Sequence, residues 1–211
     1  MRASAVRGVV AVALAGLTGC AAAPGPARPG GRAWRVAYDG YGTAVVIARH
    51  GADTVTLRPA RPAGAQSTHA ALVISRRRWR DLVIAVRMRT TGQLRRPRPN
   101  PWEVGWLIWH YSDDRHFYYL ALKPNGWELG KEDPAYQGSQ RYLATGATPD
   151  FPLGRWYLVR VRQRGAAIDV SVDGKPLVAV TDTERPYLAG RIGLYAEDAA
   201  ATFQPLSATA R

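Results

Sequence analysis

The 211-residue chain has one cysteine, Cys20, so no intramolecular disulfide is available and packing alone must stabilise the fold. Long hydrophobic runs are missing too. The apolar stretch from Gly8 to Leu17 is too short to span a bilayer, and nothing downstream approaches the required length. Lysine is nearly absent: Lys123, Lys131 and Lys175 are the only three among 29 cationic residues. No segment sustains a helical period, which argues against helical layers. His50, His69, His110 and His116 do not have metal-ligand spacing, and no Gly-x-Ser-x-Gly nucleophile turn occurs. No nucleic-acid-binding motif is present, so nucleic acid is not expected as a partner.

What the chain does have begins at its front. Arg2 and Arg7 precede the apolar stretch, which closes on Leu17-Thr18-Gly19-Cys20. This segment resembles a bacterial lipoprotein signal peptide, with a branched apolar residue and two small residues before the cysteine. The resemblance implies cleavage before Cys20, lipidation of Cys20, and anchoring at the extracytoplasmic face of the cell membrane. It also removes Cys20 from any list of nucleophiles. Ala21 to Arg32, AAAPGPARPGGR, cannot build a helix or a ladder and reads as a tether with a reach of roughly 20 Å. The expected organisation is therefore a signal peptide at 1–19, lipidated cysteine and tether at 20–32, and one folded domain at 33–209. About 190 residues remain after cleavage, enough for one sizeable core. The chain carries a formal charge of +13. That excess has two readings: arginine-rich codon usage, or attraction to anionic wall polymers, phospholipid headgroups or acidic polysaccharide.

From Trp34 onward the signals are those of strands. Short β-rich runs are expected at 44–48, 54–57, 70–75, 82–90, 102–111, 117–123, 127–131, 156–163, 167–172, 177–181, 190–195 and 201–206. Asn125-Gly126 and Asp173-Gly174 supply turn residues between neighbouring runs. Arg76-Arg77-Arg78-Trp79-Arg80 reads as a solvated strand edge with Trp79 tucked into the core. About eleven or twelve short strands at this spacing predict an all-β, two-sheet antiparallel sandwich or barrel. The second half contains Gly154-Arg155-Trp156-Tyr157-Leu158-Val159-Arg160-Val161, then Ile168-Asp169-Val170-Ser171-Val172-Asp173-Gly174. Gly190-Arg191-Ile192-Gly193-Leu194-Tyr195 and Phe203 follow. This order resembles the concanavalin A-like lectin/glucanase jelly rolls, in particular laminin-G-like and 3-keto-disaccharide-hydrolase-like domains. The resemblance implies a β-sandwich that binds carbohydrate or cell-wall polysaccharide on its concave sheet.

The stretch from Asn100 to Asp133 concentrates Trp102, Trp106, Trp109, Tyr111, Phe117, Tyr118, Tyr119 and Trp127. Side chains alternate across a strand, so Trp102, Trp106 and His110 share one face and Glu103, Trp109 and Tyr111 the other. A half-buried strand needs one aromatic face for the core, which leaves the second for a sugar platform; the alternative is that all the rings are core filler. Burial of Trp102, Trp106, Trp109, Tyr119 and Trp127 together would remove the platform. Arg87, Arg89, Arg95, His110, Tyr119, Lys123, Glu128 and Lys131 join Trp102, Trp106 and Trp127 as candidate substrate-binding residues. An Asn125-Gly126 turn would set Lys123 opposite Glu128 and Tyr119 opposite Glu132. Such pairs are either cross-strand ion pairs on a solvated sheet or the polar floor of a groove.

Three further classes stay open beside a binding module. A glycosidase needs two carboxyls, about 5–5.5 Å apart if retaining and roughly 6.5–9.5 Å if inverting. The Glu-x-Asp-x-x-Glu strand of related glycoside hydrolases is absent, which leaves Glu128 and Glu132 as first catalytic candidates, with His110 and Tyr119 as acid/base alternatives. A uronate lyase is the second class: Gln93-Leu94-Arg95, Ile108-Trp109-His110 and Tyr119 to Lys123 loosely resemble alginate-lyase-like motifs, without their terminal lysine-tyrosine motif. A structural envelope protein is the third. No cofactor is expected. A structural Ca²⁺ is the one metal the resemblance allows, with Asp39 as an early ligand, although Gln204 stands where an aspartate is often found and Asp39 also suits a turn.

Overall fold

Apolar and polar residues alternate through much of the chain after Trp34, and a pleated strand sends such residues to opposite faces. The computed structural model describes residues 33–48, 53–64 and 66–210; the leader, Cys20 and the tether lie outside them. Two seven-stranded sheets result. The front sheet runs β1 (Trp34–Tyr38), β4 (Ala70–Trp79), β13 (Gly190–Glu197), β6 (Gly105–Asp113), β7 (His116–Lys123), β8 (Gly126–Glu132), β9 (Gln140–Gly146). The back sheet runs β12 (Lys175–Thr181), β11 (Ala167–Val172), β10 (Tyr157–Arg164), β5 (Leu82–Gln93), β14 (Ala199–Ala210), β3 (Thr54–Arg58), β2 (Thr43–Ile47). Both sheets are antiparallel throughout, and every described strand lies within 34–210, so a chain starting at Ala33 retains all of them. Strands β1 and β9 add to the twelve expected ones.

The main core lies between the sheets. Leu82, Ile84, Val86 and Met88 of β5 enter it with Val159 and Val161 of β10, and Leu107, Trp109, Tyr118, Leu120, Trp127 and Leu129 meet them from the front sheet. Each fully buried large side chain contributes about 1.5–3 kcal/mol, so this layer supplies the stability that disulfides do not. Trp79 joins the core while Arg76, Arg77 and Arg78 stay exposed, as the sequence suggests. A second cluster covers the outer face of the front sheet: Leu72, Ile74, Trp106, Ile108, Tyr111, Phe117, Tyr119 and Ala121, packed by Tyr38, Trp102, Leu153 and Tyr195.

Two local details decide which residues share a face. The β7–β8 turn is Pro124-Asn125, because Lys123 pairs with Gly126, Ala121 with Glu128 and Tyr119 with Gly130. Proline's fixed φ suits the first turn position, which slips the register by two residues from the expected Asn125-Gly126 turn. An even slip keeps every side chain on its face. Gly130 is required here, since a Cβ at that position would sit 2.4 Å from the Tyr119 hydroxyl. In β6 the alternation fails instead: His110 has φ of 50° inside a bulge. The extra residue returns Tyr111 to the Trp106 face and carries His110 away from it.

The chain crosses between sheets at both ends of the sandwich. At one end lie the β1–β2, β3–β4, β5–β6 and β13–β14 connections, joined by Arg95. Its guanidinium donates to Glu103 at 2.5 Å, Asp198 at 2.5 Å, and the carbonyls of Gly64 and Ser67. At the other end, Lys131 is fully buried and donates to Asp182 at 2.8 Å and to the carbonyls of Glu184 and Arg185.

Candidate functional site

The outer face of the front sheet is where the aromatic stretch and the carboxylates meet. Trp106 stacks on Tyr119 with ring centroids 4.7 Å apart, and Tyr195 leans on Trp106 at 5.3 Å. The Trp106 indole donates to the Trp102 carbonyl, fixing the ring. Of the five rings expected to line a groove, Trp106, Trp109, Tyr119 and Trp127 are buried and Trp102 alone keeps partial exposure. Trp109 and Trp127 lie between the sheets, where their indoles donate to Gln163 and to the Thr148 carbonyl. Trp127 is therefore a core residue and leaves the binding set. Tyr142 of β9, opposite Gly130, is 52% exposed and supplies the open ring that the expected five do not.

Three carboxylates share this face. Glu128 is paired with Lys123 in a tight ion pair. Glu132 is nearly buried, and burial together with repulsion from Glu197 pushes its carboxyl up to about 8. Burial raises Glu197 to about 6, with Asp198 adding repulsion and the Tyr195 hydroxyl, 2.7 Å away, opposing the rise. Tyr119 is held well above its ordinary value by burial, and its hydroxyl has no hydrogen-bond partner; Gln140 weighs on its ionisation from outside bonding geometry. In a chain of formal charge +13, this face gathers three carboxylates, one paired with a lysine and one held protonated by burial, and is rich in tyrosine.

The other candidates lie elsewhere. Arg87 and Arg89 project from the outer face of the back sheet, 5.7 and 4.8 Å from the Trp156 ring, because β5 gives its Val86 and Met88 side to the core. Arg95 spends its guanidinium on the loop crossings, and its pKa is raised because Glu103 and Asp198 outweigh the effect of burial. His110 is turned by the bulge toward the carbonyls of Tyr187 and Arg80, 2.6 and 3.0 Å away, and burial lowers its pKa despite both contacts. Lys131 shares the inward side of β8 with Trp127 and Leu129. Burial alone would raise Asp182, yet hydrogen bonds from Lys131 and Tyr118 outweigh it and hold that carboxyl below the usual range. Arg87, Arg89, Arg95, His110, Lys131 and Trp127 thus lie away from the front face; Trp102, Trp106, Tyr119, Lys123, Glu128 and Glu132 come together on it.

Sequence reasoning missed Tyr142, Tyr195 and Glu197. Tyr142 sits in a half-exposed edge strand without clear alternation, and Glu197 reads from sequence only as one of an adjacent acidic pair. For calcium, the Asp39 carboxylate instead accepts the Tyr41 amide at 3.1 Å, closing a turn. Among the described residues no three His, Cys, Asp or Glu side chains gather around a cation position.

With its sheet order and front face described, the fold is the concanavalin A-like jelly roll. Solved structures that resemble it number 249. A carbohydrate-binding module, CBM66 from Bacillus subtilis, aligns with a TM-score of 0.59 at 14% identity, over 83% of this chain and 94% of that one. A protein described as a native glycosidic hydrolase gives 0.54 at 12% identity, over 83% and 88%. A prokaryotic β-1,3-1,4-glucanase (lichenase) from a mouse hindgut metagenome gives 0.53 at 13%, over 86% and 94%. At these identities the likeness establishes the fold. No family model matches the chain, and no curated protein does.

Proposed function

We propose that this chain is an extracytoplasmic, lipid-anchored protein that binds carbohydrate on the front face of its sandwich. The carrying observation is the pair of accessible rings on this face, exposed Tyr142 and half-buried Trp102, backed by the buried Trp106–Tyr119 stack and edged by the Lys123–Glu128 pair. A pyranose presents axial C–H groups that pack on ring faces, and the charged edge offers donors and acceptors to its hydroxyls. Similar folds that include a carbohydrate-binding module and a glucanase support the reading. Glu128 is neutralised by Lys123 and burial keeps the proton on Glu132 at neutral pH, so the face carries little net charge and suits a neutral glycan. Anchoring rests on the Leu17-Thr18-Gly19-Cys20 sequence: a Cys20→Ser chain expressed in a bacterial host moves from the membrane fraction to the soluble one, and retention in the membrane would overturn it.

A second reading, glycan hydrolysis, is favoured by one observation. At neutral pH Glu132 retains its proton while Glu197 is ionised, the split that acid/base cleavage of a glycosidic bond needs. The chain from Ala33, incubated with a panel of neutral polysaccharides, separates the two. Retention without new reducing ends supports binding alone. New reducing ends that vanish in Glu132→Gln establish hydrolysis. No retention on any glycan would refute both.

A further inference from the structure

The end of the sandwich held by Arg95 carries a feature the front-face reading does not use. A depression of about 430 Å³ opens between the β1–β2 turn, the β3–β4 crossing and the β5–β6 loop, lined by Gly42, Thr43, Arg58, Pro59, Ala60, Arg61, Gln93, Leu94 and Arg96. Three of the lining residues are arginines and none is acidic. Arg58 and Arg61 are exposed and make no hydrogen bond or ion pair among the described residues, whereas Arg96 is steadied by one nitrogen on the carbonyls of Gln93 and Arg95. Three cationic residues lining one hollow raise its positive potential, which an anion seated there would offset.

Tyr41 stands beside this hollow, next to the lining residue Gly42. It is 79% exposed, the most open large apolar side chain among the described residues, and its backbone takes φ of 62°. A bulky residue in the left-handed region is strained, and a glycine would avoid the strain. The ring is nevertheless held in place. It meets the His69 ring edge-on at 5.2 Å, His69 donates from Nδ1 to the Ala60 carbonyl at 3.0 Å, and the His69 amide donates to Asp198. Gly42 lets the turn lie against the β3–β4 crossing, because a Cβ there would come within 2.2 Å of the Arg58 carbonyl. The outcome is a fixed, solvent-facing aromatic ring at the edge of a cationic hollow.

We propose that this depression is a second saccharide site, distinct from the front face and selective for a sugar that carries an anionic group. Guanidinium forks bind carboxylate or phosphate oxygens, while the Tyr41 ring takes the apolar face of the sugar. The two sites divide the ligand types by charge: the front face offers rings and a paired Lys123 to a neutral sugar, and the hollow offers unpaired cations to an anionic one.

Titration calorimetry on the chain from Ala33 tests this with three probes: galacturonate trimer, glucose 6-phosphate and inorganic phosphate. Binding of a charged sugar is expected, weakening by at least about tenfold in Arg58→Ala/Arg61→Ala. In Tyr41→Gly it weakens too, with thermal stability unchanged or raised because the strain is released. Which charged sugar binds more tightly identifies the anion as carboxylate or phosphate. Inorganic phosphate bound as tightly as the sugars, with no effect of Tyr41→Gly, would reduce the hollow to an anion site and overturn the saccharide claim. Binding of the charged sugars unaffected by either variant would overturn the location. The same variants leave retention on neutral polysaccharide unchanged, so failure of this proposal is separable from failure of the front-face reading.

Discussion

Glu128 and Glu132 lie four residues apart on one strand face, and what surrounds each decides what it can do. Lys123 neutralises Glu128, whereas Glu132 has only burial and the like charge of Glu197 around it. Its pKa is therefore raised above the unfolded value, so in the window from about 4.5 to about 8 the native state holds a proton that the unfolded state has lost. Stability must fall as pH rises through that window, by at most about 1.4 kcal/mol per pH unit from this group. Thermal unfolding of Glu132→Gln across pH 4.5–8 is expected to show a flatter slope than the parent chain; an identical slope would mean that Glu132 is solvated. Lys131 calls for the opposite experiment. Its ammonium is fully buried on Asp182, so Lys131→Ala leaves that buried carboxylate with Arg141 as its remaining cation and costs at most about 3–5 kcal/mol in denaturant unfolding, with glycan retention per folded molecule unchanged. A loss of retention at full stability would return Lys131 to the binding residues.

The strands show where sequence reading succeeds and where it stops. Strands such as β5 and β10 alternate cleanly, and their inward and outward residues follow directly from period two. The Asp173-Gly174 turn joins Val172 to Lys175 as expected, with both turn residues at positive φ. Three other features depend on tertiary contact. Pro124 decides the β7–β8 register, β9 is an edge strand that takes its place from Glu128 and Leu129 of β8, and the His110 bulge is shaped by β13. Sequence alternation therefore locates Trp106, Tyr119, Glu128 and Glu132 correctly but misplaces His110 and Tyr111, and it overlooks Tyr142 altogether. The bulge is testable at Gly190, where a Cβ would lie 2.1 Å from the His110 backbone carbon. Gly190→Ala meets backbone that cannot rotate aside, and a loss of at least about 1–3 kcal/mol in unfolding free energy is expected. An unchanged stability would show that β6 can relax without its bulge.

For the molecule as a whole, the excess of arginine is distributed by role. Arg95 ties the loop crossings, Arg87 and Arg89 stack over Trp156 on the back, and Arg58, Arg61 and Arg96 ring the hollow. None of them reaches the face on which Glu132, Glu197 and the tyrosines meet. The surface potential therefore differs between the two proposed sites, and so must their response to salt. Ring stacking and hydrogen bonding change little with ionic strength, while guanidinium–anion contacts on an exposed surface weaken as the Debye length shortens. The most direct test of front-face recognition is affinity electrophoresis of the chain from Ala33 through gels of neutral polysaccharides, β-1,3-1,4-glucan among them, at low and high salt. The account predicts retardation that persists at high salt and is lost in Tyr142→Ala with Trp102→Ala. Absence of retardation in every neutral gel, or retardation untouched by those two substitutions, would contradict it.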